Sequence, residues 1–196
     1  TGSGVDLTGA DLTLDAGLLI NVGGANTLVN NLIFGTTGTA EAILLVEAAS
    51  RLAASGALTT TGTMRKERNG TLALSGNSTG LTGAITVGDG ILEVASNGAL
   101  GTTAGSTTVS AMASLVLDAT AAPLNFGEAI TLNGTGSDND NMGALKLVGG
   151  NAIVGTGATA FTLNQTTVVN VQSGRTLDLN ANVTGNNTLT KQGGGV

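Results

Sequence analysis

The sequence has no cysteine, no histidine, no tryptophan and no tyrosine, and its one proline is Pro123. Without cysteine it has neither disulfides nor thiolate metal sites. Without histidine it loses the commonest general base and metal ligand, and with them any Ser-His or Cys-His nucleophilic pair. Aromatic residues are 2% of the chain, namely Phe34, Phe126 and Phe161. Compact cores use large rings to fill the space between packed layers, whereas a narrow interior of Leu, Ile, Val and Ala needs none. Charge is also scarce: seven Lys and Arg against thirteen Asp and Glu, a net charge of −6 and a pI near 4.3. That balance argues against nucleic acid, which calls for a basic stripe, and against an anionic membrane surface. There is no run of 18 apolar residues to insert in a membrane, and Thr1-Gly2-Ser3-Gly4 does not read as a signal peptide.

What the chain has is aliphatic residues, 32 glycines, and Asn, Ser and Thr between them. The mean hydropathy of +0.31 and 10% charged residues argue against disorder, and no G-X-Y period suggests collagen. Short alternating runs recur: Asp11-Leu12-Thr13-Leu14, Thr71-Leu72-Ala73-Leu74, Ile91-Leu92-Glu93-Val94, Ser114-Leu115-Val116-Leu117, Ala144-Leu145-Lys146-Leu147 and Thr176-Leu177-Asp178-Leu179. Alternation puts one row of side chains inward and the other outward. Repeated about every twenty residues, it describes a chain that stacks on itself. The expected interior is Leu72, Leu74, Ile85, Val87, Leu92, Val94, Leu115, Leu117, Leu145, Leu147, Leu177 and Leu179. Nine or ten coils are expected, a rod on the order of 45 Å long, with Asn or Thr ladders at its corners. An antiparallel sandwich is the rival architecture, but its wider inter-sheet gap calls for more aromatics.

A longer repeat is superimposed on this one. Laying residues 41–66 over 166–191, an offset of 125, places Ile43, Leu44 and Val46 on Val168, Val169 and Val171. Leu52 falls on Leu177, Leu58 on Val183, Met64 on Leu189 and Lys66 on Lys191. The chain reads as one solenoid segment, residues 1–196, holding about one and a half copies of a roughly 125-residue unit. One repeat motif spans 63–94, and a truncated second copy spans 188–196.

The segment Gly70-Thr71-Leu72-Ala73-Leu74-Ser75-Gly76-Asn77, with Gly83-Ala84-Ile85-Thr86-Val87 and Gly90-Ile91-Leu92-Glu93-Val94, resembles the autotransporter-associated β-strand repeat of large bacterial surface proteins. Leu189-Thr190-Lys191-Gln192-Gly193-Gly194-Gly195 is similar to the opening of that motif. Ile130-Thr131-Leu132-Asn133-Gly134-Thr135-Gly136, followed by Gly143-Ala144-Leu145, resembles the stretch after it. Together these cover more than half the chain. One departure is Met64-Arg65-Lys66-Glu67-Arg68, which is more charged than the family pattern and has Arg68 where glycine is usual. The resemblance implies a right-handed parallel β-helix in the passenger of an exported protein at the bacterial cell surface. The missing catalytic groups, rather than the resemblance, lead to the expectation of no enzyme, and no cofactor is expected. The expected partners are flanking repeats of the same chain, identical subunits end to end through open strand edges, or a host or neighbouring-cell surface.

Sites are few. Ser137-Asp138-Asn139-Asp140-Asn141 is the densest run of oxygen ligands, and Asp138 and Asp140 are the only metal candidates. The sequence favours an exposed loop there, because Met142 takes the next ligand position and no glutamate closes a calcium loop. Arg65-Lys66-Glu67-Arg68 reads as a solvated loop. Paired carboxylates as in a glycosidase remain open, but most of the acids read as single residues at turns or on outward strand positions. Sequons at Asn69, Asn77, Asn133, Asn164, Asn182 and Asn186 arise by chance in so Asn- and Thr-rich a chain, and Gly193-Gly194-Gly195 has no P-loop lysine-serine pair after it. Three functions are ordered by these features: a non-catalytic stalk or scaffold that supports export and display, a self-assembling filament subunit, and last a carbohydrate-active β-helix.

Overall fold

A computed structural model describes residues 10–14, 17–34, 41–137 and 143–196. Its regular elements there are 23 short strands, with no helix, so none is long and apolar enough to cross a membrane. Every strand pairing is parallel. The chain is an all-β parallel β-helix, as its alternation and small residues require.

Three faces enclose the core. The first is an eight-stranded sheet running from Leu18–Asn21 through Ala42–Val46, Met64–Glu67, Ile85–Val87, Ser106–Val109, Ala129–Leu132 and Ala160–Leu163 to Asn182–Thr184. The second, also eight-stranded, runs from Ala25–Leu28 through Arg51–Ala54, Thr71–Leu74, Gly90–Val94, Ala113–Asp118, Leu145–Val148 and Thr167–Val171 to Leu189–Gln192. The third is split into a four-stranded sheet ending at Gly80–Leu81 and a three-stranded one beginning at Leu124–Phe126. Residues 97–102 bridge the split without forming a strand: Thr102 N donates to Leu81 O at 3.0 Å, and Asn97 Oδ1 accepts from Asn125 N at 2.9 Å.

Eight strands on each of the first two faces, and seven on the third, make fewer coils than the nine or ten expected. Seven strand spacings give about 34 Å rather than 45 Å. The reason is uneven coil length. Twenty residues separate Leu52 from Leu72 in register, but thirty separate Leu115 from Leu145. The inward columns continue regardless of the spacing.

Those columns are the core. Leu52, Leu72, Leu92, Leu115, Leu145 and Val169 lie one above another on the second face, all at most 4% exposed. Burying each such side chain contributes about 1.5–3 kcal/mol. All twelve expected core positions point inward, but Leu177 and Leu179 are only partly buried, since no further strand stacks on theirs. The three phenylalanines are buried as well. At the corner between the second and third faces, Asn31, Asn97 and Asn151 side chains each accept from a backbone N–H about one coil on, Ala57, Asn125 and Thr176. These bonds answer the need of a turning backbone for a partner, but the three asparagines stand on non-adjacent coils and do not stack into the expected ladder.

Several backbone hydrogen bonds recur 125 residues apart. Ala42 N→Thr63 O and Thr167 N→Thr188 O are both 2.8 Å, and Ser50 N→Glu47 O and Arg175 N→Gln172 O both 3.1 Å. Gly70 N→Val46 O and Gly195 N→Val171 O are 2.9 and 3.0 Å, and Thr71 N→Ser50 O and Val196 N→Arg175 O both 2.9 Å. Two non-glycine residues have positive φ, Ala49 at 58° and Arg68 at 71°, and residues 125 positions later are Gly174 at 73° and Gly193 at 76°. Arg68 therefore makes the left-handed turn that glycine makes in the second copy. The copies are not on the same face, however. Ile43 lies in the second strand of the first face and Val168 in the seventh strand of the second. One unit advances the rod by five coils and one face.

Candidate functional site

Asp138 and Asp140 lie outside the described residues; the described residues on either side, Ser137 and Gly143, meet at Ser114. Ser114 Oγ donates to Gly143 O at 2.7 Å and accepts from Ser137 N at 2.9 Å, clamping the two together. Among the described residues no group of three His, Cys, Asp or Glu could hold a metal.

Charge concentrates in the first half of the rod. Arg51 and Glu93 pair at 2.5 Å across two coils. Arg65 pairs with Glu67 and, at 3.5 Å, with Glu41, and Arg68 lies 3.8 Å from Glu47. All are partly solvated pairs, worth little individually. Beyond them the outward centre of the first face is neutral: Thr86, Thr108, Thr131, Thr162 and Thr184 stand in register on five adjacent strands. Thr162 and Thr184 hydroxyls are 3.2 Å apart. β-Branched outward residues suit a pleated surface.

Among the described residues two charged side chains, Lys66 and Glu128, are buried, and sequence reasoning missed both. Arg65-Lys66-Glu67-Arg68 is not a solvated loop, because Met64–Glu67 is a strand. Its alternation puts Met64 and Lys66 inward, Lys66 between Leu44 and Val87 with no exposure. The ammonium reaches the corner and donates to the carbonyls of Arg68, Gly70 and Asp89, the last two at 2.6 and 2.7 Å. Burial lowers its pKa to about 8, against the opposing charges of Asp89 and Glu67. The period-2 pattern and the Lys66–Lys191 match were the available signals; charge composition masked them.

Glu128 is the second. It precedes the first-face strand Ala129–Leu132, is 4% exposed, and accepts from Thr107 Oγ1 at 2.9 Å. Burial pushes its pKa up to about 7, with the Thr107 hydrogen bond pulling the other way. It is not one of the outward acids the sequence suggested, and nothing in its local pattern marks it as buried.

An open groove of ≈ 500 Å³ runs along the corner between the first and second faces, lined by Gly24, Ala49, Arg51, Gly70 and Ile91 among others. Its walls are mostly small side chains and backbone. This arrangement offers hydrogen-bonding backbone and one paired guanidinium. It brings no two carboxylates together for acid–base work. Comparison with models of known protein families, with curated proteins and with solved structures gave no match.

Proposed function

We propose that this chain is a non-catalytic structural rod, a stalk or scaffold segment of an exported bacterial surface protein of the autotransporter kind. The observation that carries this reading is the recurrence of hydrogen bonds, left-handed turns and inward columns at 125 residues. A unit that repeats its backbone while its loops drift is built for length. Each coil is satisfied by its neighbours alone, so a chain emerging from a membrane folds coil upon coil, and the folded part resists backsliding. The family resemblance of residues 63–94 supports the cell-surface setting.

The test is reach. One, two or three 125-residue units are placed between a surface anchor and a fluorescent reporter, and reporter height above the membrane is measured. Each unit, five coils and one face, should add about 26 Å. A height that does not grow with unit number, or failure of longer arrays to reach the surface, refutes the reading. Incubation with pectins, glucans and peptidoglycan at several pH values should give no turnover; turnover lost on replacing a specific acid pair would replace the stalk with an enzyme.

A further inference from the structure

The third face is interrupted in the middle of the rod. Its four-stranded sheet ends at Gly80–Leu81 and its three-stranded sheet begins at Leu124–Phe126, and among the described residues no strand pairing joins them. The other two faces run on past this level, Ser106–Val109 against Ala129–Leu132 and Ala113–Asp118 against Leu145–Val148. Strand Leu124–Phe126 is held on its far side: Leu124 N donates to Asn151 O at 3.1 Å, and Phe126 O accepts from Gly155 N at 2.6 Å. Towards the preceding coil two side-chain bonds cross instead. Asn97 Oδ1 accepts from Asn125 N, and Glu128 Oε1 accepts from Thr107 Oγ1, each at 2.9 Å.

The second of these bonds lies inside the rod. Thr107 has no exposure and stands in an inward column between Ile85 and Ile130, with Phe161 beyond. Glu128 follows Gly127 at the corner between the third and first faces, and the corner is closely packed. A Cβ on Gly127 would lie 3.1 Å from Thr156 Cγ2 in the coil above and 3.2 Å from Thr103 Cγ2 in the coil below. The stretches stacked here, residues 97–110, 124–132 and 152–163, contain no ionisable side chain other than Glu128. Asp118, at the end of its second-face strand, accepts from Thr120 N at 3.0 Å. The elements packed on Glu128 therefore offer no counter-charge. Burial keeps its proton on up to about pH 7. A neutral carboxyl fits the closed corner, whereas a carboxylate needs water, and water has the fewest bonds to break where the third face is already interrupted.

We infer that the rod has a joint at this level, closed while Glu128 carries its proton and opened by its ionisation. Opening parts residues 97–105 from 124–128 on the third face, while the paired first and second faces hold and act as the hinge. It breaks two side-chain bonds and no strand pairing. In the open joint the carboxyl is solvated and returns to its ordinary value of 4.5. The opening constant therefore rises ten-fold for each pH unit between about 4.5 and 7, roughly a hundred-fold or more in all, and then levels off. A stalk with such a joint is stiff in acid and bends near neutrality. The stalk reading does not depend on it, since that reading needs only one folded rod.

The chain has no cysteine, so a single introduced thiol reports alone. Ala99→Cys places one in the stretch that bridges the split, and Ala113→Cys places one in the second face; both alanines have no exposure. Each variant is labelled with a pyridyl disulfide, which reacts in acid as well as at neutral pH, and each rate is divided by that of the same chain unfolded. The Ala99→Cys thiol should label through a local opening, ten-fold faster per pH unit from about 4.5 to 7. Low concentrations of urea should leave that rate unchanged, because little surface is exposed. The Ala113→Cys thiol should label roughly ten-fold or more slowly at every pH and speed up steeply with urea. Adding Glu128→Gln to Ala99→Cys should abolish the pH dependence. Adding Asn97→Ala, which removes the other bond across the split, should speed labelling at every pH and leave the slope as it was. Equal rates and equal urea dependence at the two thiols overturn the inference and leave the stalk intact. So does an Ala99→Cys rate that is flat between pH 4.5 and 7, or a slope that survives Glu128→Gln.

Discussion

Glu128→Gln should change how the rod's stability depends on pH, in a direction opposite to ordinary acid unfolding. The Glu128 carboxyl is buried and held by one hydroxyl, Thr107 Oγ1. Below about pH 4.5 it carries its proton whether the chain is folded or unfolded. As pH rises toward 7 the unfolded chain loses that proton freely, while the folded chain keeps it until about 7 and then must hold a buried carboxylate. Raising the group from 4.5 to about 7 costs the folded state on the order of 3 kcal/mol, fully felt above pH 7. Equilibrium urea unfolding at pH steps from 4 to 8 reads this directly. Wild type should lose stability across the window relative to Glu128→Gln, whose amide oxygen still accepts from Thr107 but never ionises. At pH 8 the variant should be more stable by about 3 kcal/mol, read as a higher urea midpoint. A wild-type curve parallel to the variant's between pH 4.5 and 7 refutes the reasoning.

Lys66 gives the alkaline counterpart: its proton is disfavoured by folding, so stability should rise between about pH 8 and 10.5 as it leaves, and Lys66→Met should remove that slope in the same titration. Gly56→Ala puts a methyl into the Asn30 carbonyl of the coil beneath; it should cost about 3 kcal/mol or more, against little for Gly23→Ala, where the space is open. Ala49→Gly and Arg68→Gly relieve left-handed strain, so each should be neutral or stabilising by up to about 1 kcal/mol by chemical denaturation, whereas Gly193→Ala should destabilise. Leu92→Ala, in the middle of a column, should cost about 2–5 kcal/mol, and Leu177→Ala, partly open at the end, clearly less.

The architecture was legible because it rests on a two-residue period and a shortage of rings. The strand Ile91-Leu92-Glu93-Val94 shows its inside and outside in four letters. Coil length was not legible, because register partners 20 residues apart, as Leu52 and Leu72, and 30 apart, as Leu115 and Leu145, keep the same inward column and so leave no trace in the alternation. The 125-residue match found the right residues without revealing that the copies occupy different faces, since inward and outward alternate identically on all three. Lys66 sits at an inward position by that same period, but a cation among four consecutive charged residues reads as surface. Only the three carbonyls of the corner, which no sequence displays, make its burial tolerable. Glu128 depends on Thr107 one coil away, a pairing set by the stacking and not by neighbours in sequence.

Five coils and one face also decide in which direction such a rod can be approached. Had the unit been a whole number of coils, every copy of a given loop in a tandem array would stand on one side, and the rod would have a front and a blank back. An advance of about a third of a turn instead carries each feature around the axis and returns it to its starting side after three units. A partner arriving from any azimuth then meets the same loop, at a vertical interval of about 80 Å, and a stalk need not be turned toward its neighbour to engage it.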